Sequence, residues 1–274
     1  MAIEAIILGL DDVLFDTEDA HLHACNAAFE ICGLTLHWTL PQLRKAMRLR
    51  GATNAVIAAV DGIAPSRGVD TRRLVQEKNR IYREILAALR PAPHAACMKL
   101  VDDALEKGCK LAVATDMPAP TATTLLDLAF DDAATSIFAA VVSGADFSEP
   151  AANGPHALAL RTVGADVRNC VAIHVATPAL EAAQRAGLWT VSVTPYEKDV
   201  ARVTGADLWC PQFQELRHLL GRPSARSAQT QQLQQLQQQQ PQRFITFEAL
   251  QALQANRTRD TAAPDQRMRY RQSA

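Results

Sequence analysis

Leu8-Gly9-Leu10-Asp11-Asp12-Val13-Leu14-Phe15-Asp16-Thr17-Glu18 is the stretch of this chain that decides the fold. It follows Ala2-Ile3-Glu4-Ala5-Ile6-Ile7, an apolar run whose length and composition are typical of a buried strand. Two carboxylates, Asp11 and Asp12, come just after this run. In α/β proteins, ligands collect at the carboxyl ends of parallel strands. The stretch therefore predicts a first core strand followed by a loop that carries functional groups.

This stretch resembles motif I of the haloacid dehalogenase (HAD) superfamily, a strand followed by Asp-x-Asp-Gly-(Thr/Val)-Leu-x-Asp-(Ser/Thr). In that family the first Asp attacks phosphorus as a nucleophile, and the second is the general acid and base. Residues 13–18 fix the register, so Asp11 takes the acid/base position, Gly9 the nucleophile position and Asp12 the position of the family glycine. Glycine has no side chain, so the resemblance implies that the nucleophile is lost.

Three later segments resemble the other HAD motifs. Residues 110–115 resemble motif II, a strand that ends in a hydroxyl residue that hydrogen-bonds the phosphoryl group, and Thr115 retains this hydroxyl. Motif III contains a Lys before Pro, and Glu149 is the best match to that Lys. The motif IV frame places His174 and Val175 where the family has two acids. The resemblance thus implies that the frame persists while most of its reactive groups are absent.

The resemblance also bears on metal and ligand binding. The family holds magnesium with the first motif I Asp, the backbone carbonyl of the second and the motif IV Asp. Magnesium prefers carboxylate oxygens, and Gly9 and Val175 supply none, so we expect no metal cofactor unless the protein is an active enzyme after all. His174 is either a metal or phosphate ligand or a buried structural histidine, and the second reading is favoured. Where a related cap uses a Lys on the sugar phosphate, this chain has Thr53.

Periodicity and the resemblance together predict the domain organisation. The fold class is α/β: a Rossmann-like HAD core with a parallel sheet (residues 1–15 and 92–221), and a helical cap of the C1 type (residues 16–91). Short segments also resemble one branch of the superfamily: Ala28-Phe29, Gly33-Leu34, His37-Trp38, Thr194-Pro195-Tyr196 and Glu215-Leu216. This branch is that of the CbbY xylulose-bisphosphate phosphatases and phosphoglycolate phosphatase-like proteins. Residues 222–274 are predicted to form a disordered low-complexity tail rich in Gln and Arg, although its apolar run at 244–253 is also compatible with a helix or docking peptide. Core strands are predicted at residues 111–114, 137–142, 171–173, 190–193 and 208–209.

Composition narrows the functional classes. Six cysteines with no C-x-x-C pair suit buried thiols in a reducing cytoplasm, and no apolar run has the length of a membrane span. The tail is basic, but a solvated tail is favoured over a nucleic-acid partner. We predict a HAD-like binding or regulatory pseudoenzyme whose partner is at most a weakly bound phosphorylated metabolite. The alternatives are a CbbY-type sugar-phosphate phosphatase and a scaffold that acts through its tail.

Overall fold

The computed structural model describes residues 2–61, 68, 70–144, 147–193, 206–210 and 246–262. The predicted disordered tail, except for residues 246–262, lies outside this part of the chain, as do the segments at 194–196 and 215–216 that resemble the CbbY branch. The first described strand, β1 (Ala5–Leu8), is fully buried, as its uninterrupted apolar sequence predicts.

The core is a parallel sheet whose strands alternate with helices, and this confirms the predicted α/β fold. The remaining strands are β2 (Lys110–Ala114), β3 (Phe138–Val142), β4 (Cys170–His174), β5 (Trp189–Val193) and β6 (Leu208–Cys210). Their spatial order is β3-β2-β1-β4-β5-β6, with every neighbouring pair parallel. The strand order reverses at β1, so β2 and β4 flank it, and the carboxyl ends of these three strands form the point where α/β sheets bind ligands.

The two faces of the sheet are packed differently because side chains alternate along each strand. One face carries large residues such as Ile6 and Leu8, which pack against α5 (Ala95–Glu106) and α6 (Ala119–Phe130). The other is rich in alanine and is covered by α8 (Pro155–Val163) and α9 (Thr177–Arg185). A short helix, α7 (Ala134–Ile137), leads into β3. A parallel sheet with both faces covered explains why its strands read as continuous apolar runs.

The described part of the predicted cap contains four helices: α1 (Glu18–Ile31), α2 (Leu40–Arg50), α3 (Ala52–Asp61) and α4 (Thr71–Leu89). They have a separate apolar cluster, with Phe29, Leu43, Val56 and Leu74 among its buried members. The chain leaves the core at Phe15 and returns at Pro93, and these two residues form an isolated antiparallel bridge. The bridge joins the two chain passages at the base of the helical insertion.

Within the described ranges, no helix is both long enough and apolar enough to cross a membrane.

The predicted tail requires one correction. Residues 247–262 form a helix, α10 (Phe247–Ala262), and Phe247, Leu250 and Leu253 are buried in the same apolar cluster as β1. Gln254 donates a hydrogen bond from Nε2 to the carbonyl of Arg168 at 2.9 Å. The prediction of a disordered tail therefore does not hold for this segment, and of the two alternatives, a helix or a docking peptide, residues 247–262 form the helix. The physical reason is the apolar spacing of 247, 250 and 253, which forms one face of a helix.

Candidate functional site

Three of the residues predicted to form the site lie at the carboxyl ends of neighbouring strands. Gly9 follows β1 and donates its N–H to the carbonyl of Ile173 at 3.0 Å, so it is held against β4. Thr115 follows β2, and His174 is the last residue of β4. Because β2 and β4 both pair with β1, these positions share one edge of the sheet.

Gly9 and His174 are in direct contact. A Cβ atom added to Gly9 would lie 2.9 Å from His174 Nδ1 and 3.3 Å from Val13 Cγ2. The imidazole thus fills the space into which a side chain at position 9 would project. The two positions are complementary: a carboxylate at residue 9 requires His174 to move or to be replaced.

His174 belongs to a buried pair of histidines. Its Nε2 lies 2.9 Å from Nε2 of His156 on the first turn of α8, and the Phe147 ring packs against both imidazoles. Burial lowers the pKa of His174 to about 3. Burial, together with His174 and Arg185, lowers the pKa of His156 well below its usual value. With these lowered pKa values both rings are neutral at pH 7, and one donates its N–H to the lone pair of the other. The prediction that His174 is a structural histidine stays a prediction.

The histidine pair predicts acid sensitivity. A histidine whose pKa is lower in the folded than in the unfolded state is destabilising once pH falls below the unfolded value, because the unfolded chain then binds more protons. With an unfolded pKa of about 6.5, His174 alone should reduce the free energy of unfolding by about 2 kcal/mol between pH 7 and pH 5. His156 acts in the same direction. We expect urea titrations of His174→Asn to show a smaller loss of stability over this range than those of the parent.

The matched control is His37→Asn, which removes an exposed histidine from the cap. Buried carboxylates with raised pKa values, such as Asp12, act in the opposite direction, so the informative quantity is the difference between each variant and the parent. An equal loss of stability from pH 7 to pH 5 in His174→Asn and His37→Asn would contradict a neutral buried pair.

Asp11 lies at the centre of a hydrogen-bond network between the core loop and the cap. Its Oδ1 accepts bonds from Thr17 Oγ1 at 2.9 Å, Tyr82 Oη at 2.9 Å and His21 Nε2 at 3.1 Å. The rings of His21 and Tyr82 stack with their centroids 4.0 Å apart, and Lys78 Nζ lies 4.8 Å from the Tyr82 ring. The network joins α1 and α4 to the loop after β1.

This network determines the charge of Asp11. Burial alone would raise the pKa of the Asp11 carboxyl, but His21, Lys78 and Thr17 together lower it to about 2. The neighbouring Asp12 differs: burial, and then the Asp11 charge, raise its pKa well above the usual value, and its Oδ1 is buried without a hydrogen-bond partner. Asp12 also has a φ of 58°, a left-handed conformation that glycine adopts without strain. The structure thus explains why a glycine suits this position.

The remaining predicted site residues of the core are Thr115, Glu149 and Val175. Thr115 is buried, and its Oγ1 accepts a hydrogen bond from the Met117 N–H at 3.2 Å. Glu149 is exposed in the loop before α8. Val175 is partly buried and packs against the apolar core. None of these three lines the cleft between cap and core, so their predicted roles stay predictions.

A cleft of about 890 Å³ separates the cap from the core. Thr53, the predicted substitute for a cap Lys, lines it, whereas the other six predicted site residues do not. Its charged lining residues are Arg50 and Asp61 of the cap and Asp116, Glu181 and Arg185 of the core. Arg185 donates a hydrogen bond to the carbonyl of Phe147 at 2.6 Å. Three acids against two arginines make the lining a poor match for a strongly anionic ligand.

The side chains at the strand ends do not fit the magnesium ion that the family uses. Gly9 offers no side-chain oxygen and Val175 packs as an apolar residue, which leaves the backbone carbonyl of Asp11 as the one retained family ligand. Hard divalent cations require several free oxygen ligands. In the ranges described above, no cluster of three or more His, Cys, Asp or Glu residues has a metal-binding arrangement.

Sequence reasoning missed two residues of this region. Asp116 and His156 carry no motif of their own; the only signal was position, next to the motif II residue Thr115 and inside the helix after the motif III segment. Both act through contacts with residues distant in the chain.

A switch-point sheet, a helical cap inserted after its first strand and four motif segments in HAD order define the class of a capped HAD-like hydrolase fold. The sequence profile of haloacid dehalogenase-like hydrolases matches residues 6–193. The chain belongs to that family, in the branch of CbbY and phosphoglycolate phosphatase-like proteins.

Individual relatives agree with this assignment. The plasmid-encoded protein CbbY of Cupriavidus necator is 30% identical over 204 residues, which cover 70% of this chain and 78% of the relative. The crystal structure of CbbY from Rhodobacter sphaeroides in complex with phosphate aligns with a TM-score of 0.64 and 24% identity, covering 76% of this chain and 93% of that one. A mutant of the same protein in complex with xylulose-(1,5)bisphosphate gives a TM-score of 0.64, 23% identity and the same coverage. These two structures establish the shared fold.

Proposed function

We propose that this protein is a HAD-like binding or regulatory protein that has lost phosphoryl transfer. The observation that carries the proposal is the contact between Gly9 and His174, whose Nδ1 would lie 2.9 Å from any Cβ at position 9. A nucleophile is not merely absent from the sequence; the space for one is occupied by a buried ring. Covalent catalysis needs a carboxylate nucleophile at residue 9, and His174 leaves no room for that side chain.

The state of Asp11 supports the same proposal. A general acid works best when its pKa lies near the operating pH. With a pKa of about 2, Asp11 is protonated in roughly one molecule in 10⁵ at pH 7. Its Oδ1 is already an acceptor for three donors from the cap and the adjoining loop, so a proton there would cost those bonds. Asp11 acts in this geometry as a fixed anion that joins cap and core.

The second candidate is a sugar-phosphate phosphatase of the CbbY type. It is favoured by the retention of Asp11 and Thr115 at neighbouring strand ends and by the CbbY relatives. The absence of a nucleophile argues against this candidate, because removing the nucleophile of a well-characterised hydrolase reduces turnover by about 10⁶-fold. Here both side-chain magnesium ligands, at residues 9 and 175, are missing as well, so we rank this candidate second.

The ligand we propose is a phosphorylated metabolite that binds weakly, in a protein located in the cytoplasm. CbbY has been crystallised with phosphate and with xylulose-(1,5)bisphosphate, and the cleft here presents Arg50 and Arg185. Asp61, Asp116 and Glu181 oppose an anion in the same cleft. Free cysteines at all six positions are compatible with a reducing compartment.

We therefore expect the purified protein to show no magnesium-dependent hydrolysis of p-nitrophenyl phosphate or of pentulose and hexose phosphates. Sugar phosphates should raise its melting temperature only slightly. The control is Asp11→Ala, assayed in parallel at equal purity. Turnover by the parent that disappears in Asp11→Ala would refute the loss of catalysis and favour the phosphatase.

A further inference from the structure

Asp116, which lines the cleft, makes a direct contact between the core and the cap. Asp116 lies just beyond β2, and its Oδ2 accepts a hydrogen bond from the backbone N–H of Ala52 at 3.0 Å. Ala52 is the first residue of α3. The first N–H groups of a helix have no acceptor within the helix and carry a partial positive charge. The core carboxylate thus meets the groups of the cap that are best suited to an anion.

Gly51 is shaped for this contact. Its φ of +75° lies in the left-handed region, and an added Cβ would be 2.7 Å from Asp116 Oδ2. Glycine suits residue 51 for two reasons: it adopts the left-handed backbone conformation without strain, and it leaves room for the Asp116 carboxylate. A side chain at residue 51 would displace Asp116 from the helix, so the contact depends on both residues.

The electrostatic environment agrees with an anion held by backbone donors. Burial, followed by the Asp11 charge, raises the pKa of Asp116, whereas Lys78 and the N–H groups of Thr53 and Ala52 lower it. The carboxylate occupies the place that an oxyanion would need in order to reach the same N–H groups. A second anion at the same N–H groups would lie close to the Asp116 carboxylate. Like charges so close together in a partly buried cleft repel each other strongly.

We infer that Asp116 is an internal ligand of the cap: it holds α3 against the core when no molecule is bound and keeps phosphate and other oxyanions away from the N-terminus of α3. The inference holds whether or not phosphoryl transfer has been lost. It identifies an autoinhibitory contact, because any anionic ligand must displace Asp116 before it can reach the N-terminus of α3.

The test is chemical rescue of Asp116→Ala. In chloride buffer this variant should melt about 3 to 6 °C below the parent, since a charge-assisted hydrogen bond is lost. Formate or inorganic phosphate at constant ionic strength should restore most of this difference by filling the vacated position. The matched control is Asp61→Ala, which removes a carboxylate from the same cleft at the other end of α3. Neither anion should raise the melting temperature of the parent or of Asp61→Ala.

Hydrogen exchange supplies a second readout. The Ala52 amide should exchange faster in Asp116→Ala than in the parent and slow again with formate. Should Asp116→Ala not fold, Asp116→Asn keeps an acceptor without the charge and should show a smaller fall in melting temperature and a smaller rise in Ala52 exchange, with no rescue by formate because the position stays occupied. Melting and Ala52 exchange that match the parent in the folded variant, or anion stabilisation of equal size in the parent and Asp61→Ala, would overturn the inference.

Discussion

Replacing Phe247 with alanine is expected to lower the free energy of unfolding by about 3 to 5 kcal/mol, the usual range for truncating a buried aromatic side chain. Phe247 is 1% exposed and packs in the same apolar cluster as Ile6 and Leu8 of the central strand. Leu250, one helical turn further on, is completely buried beside it. The effect is large because α10 contributes to the main core and not to a satellite of it.

The matched control for this prediction is Glu248→Ala, which truncates the next side chain of the same helix on its exposed face. It should change the free energy of unfolding by less than about 0.5 kcal/mol. Urea titration of the full chain gives both values. If Phe247→Ala and Glu248→Ala were equally stable, α10 would not be part of the folded core.

For α10, the sequence predicts an apolar segment but does not predict that this segment packs in the main core. The apolar run at residues 244–253 is compatible with a helix or docking peptide, whereas the glutamine-rich segment before it is typical of low-complexity sequence. Composition describes an average over a segment, whereas docking depends on three apolar residues spaced along one face. The core strands were easier to predict, because a buried parallel strand is apolar along its whole length. β4, predicted at 171–173, spans Cys170–His174.

For the candidate site, the sequence predicts which residues lie at the strand ends but not which residues they contact. Motif order placed Gly9, Thr115 and His174 at strand ends, and the parallel sheet then brought them to one edge. The contacts that give these residues their properties join distant parts of the chain, as in the Asp116–Ala52 and His156–His174 hydrogen bonds. No local pattern encodes such pairs, because they arise from the packing of the cap and of α8 against the sheet.

The Gly9–His174 contact determines how a metal site would have to be rebuilt. Gly9→Asp alone should not suffice, because its Cβ would meet His174 Nδ1 at 2.9 Å. The acidic variant therefore combines Gly9→Asp with Asp12→Gly, His174→Glu and Val175→Asp. Removal of Asp12 also relieves a left-handed backbone and a buried carboxylate without a hydrogen-bond partner. The tail is kept, because α10 belongs to the core.

Magnesium at about 10 mM should raise the melting temperature of the acidic variant by about 3 to 10 °C, since a ligand that binds only the folded state stabilises it by mass action. The parent should not respond. The matched neutral variant carries Gly9→Asn, Asp12→Gly, His174→Gln and Val175→Asn, which keep the shapes and remove the charges.

The comparison of the two variants separates the frame of the site from its chemistry. A response confined to the acidic variant would mean that residues 9 and 175 still converge on one position, and that only their side chains have changed. Phosphatase activity need not return with the metal, because the groups that position a substrate lie outside the four substitutions. If the acidic variant folds but ignores magnesium, or if the neutral variant responds equally, then Gly9 and Val175 do not face a common site, and the predicted correspondence with the magnesium ligands of the family is wrong.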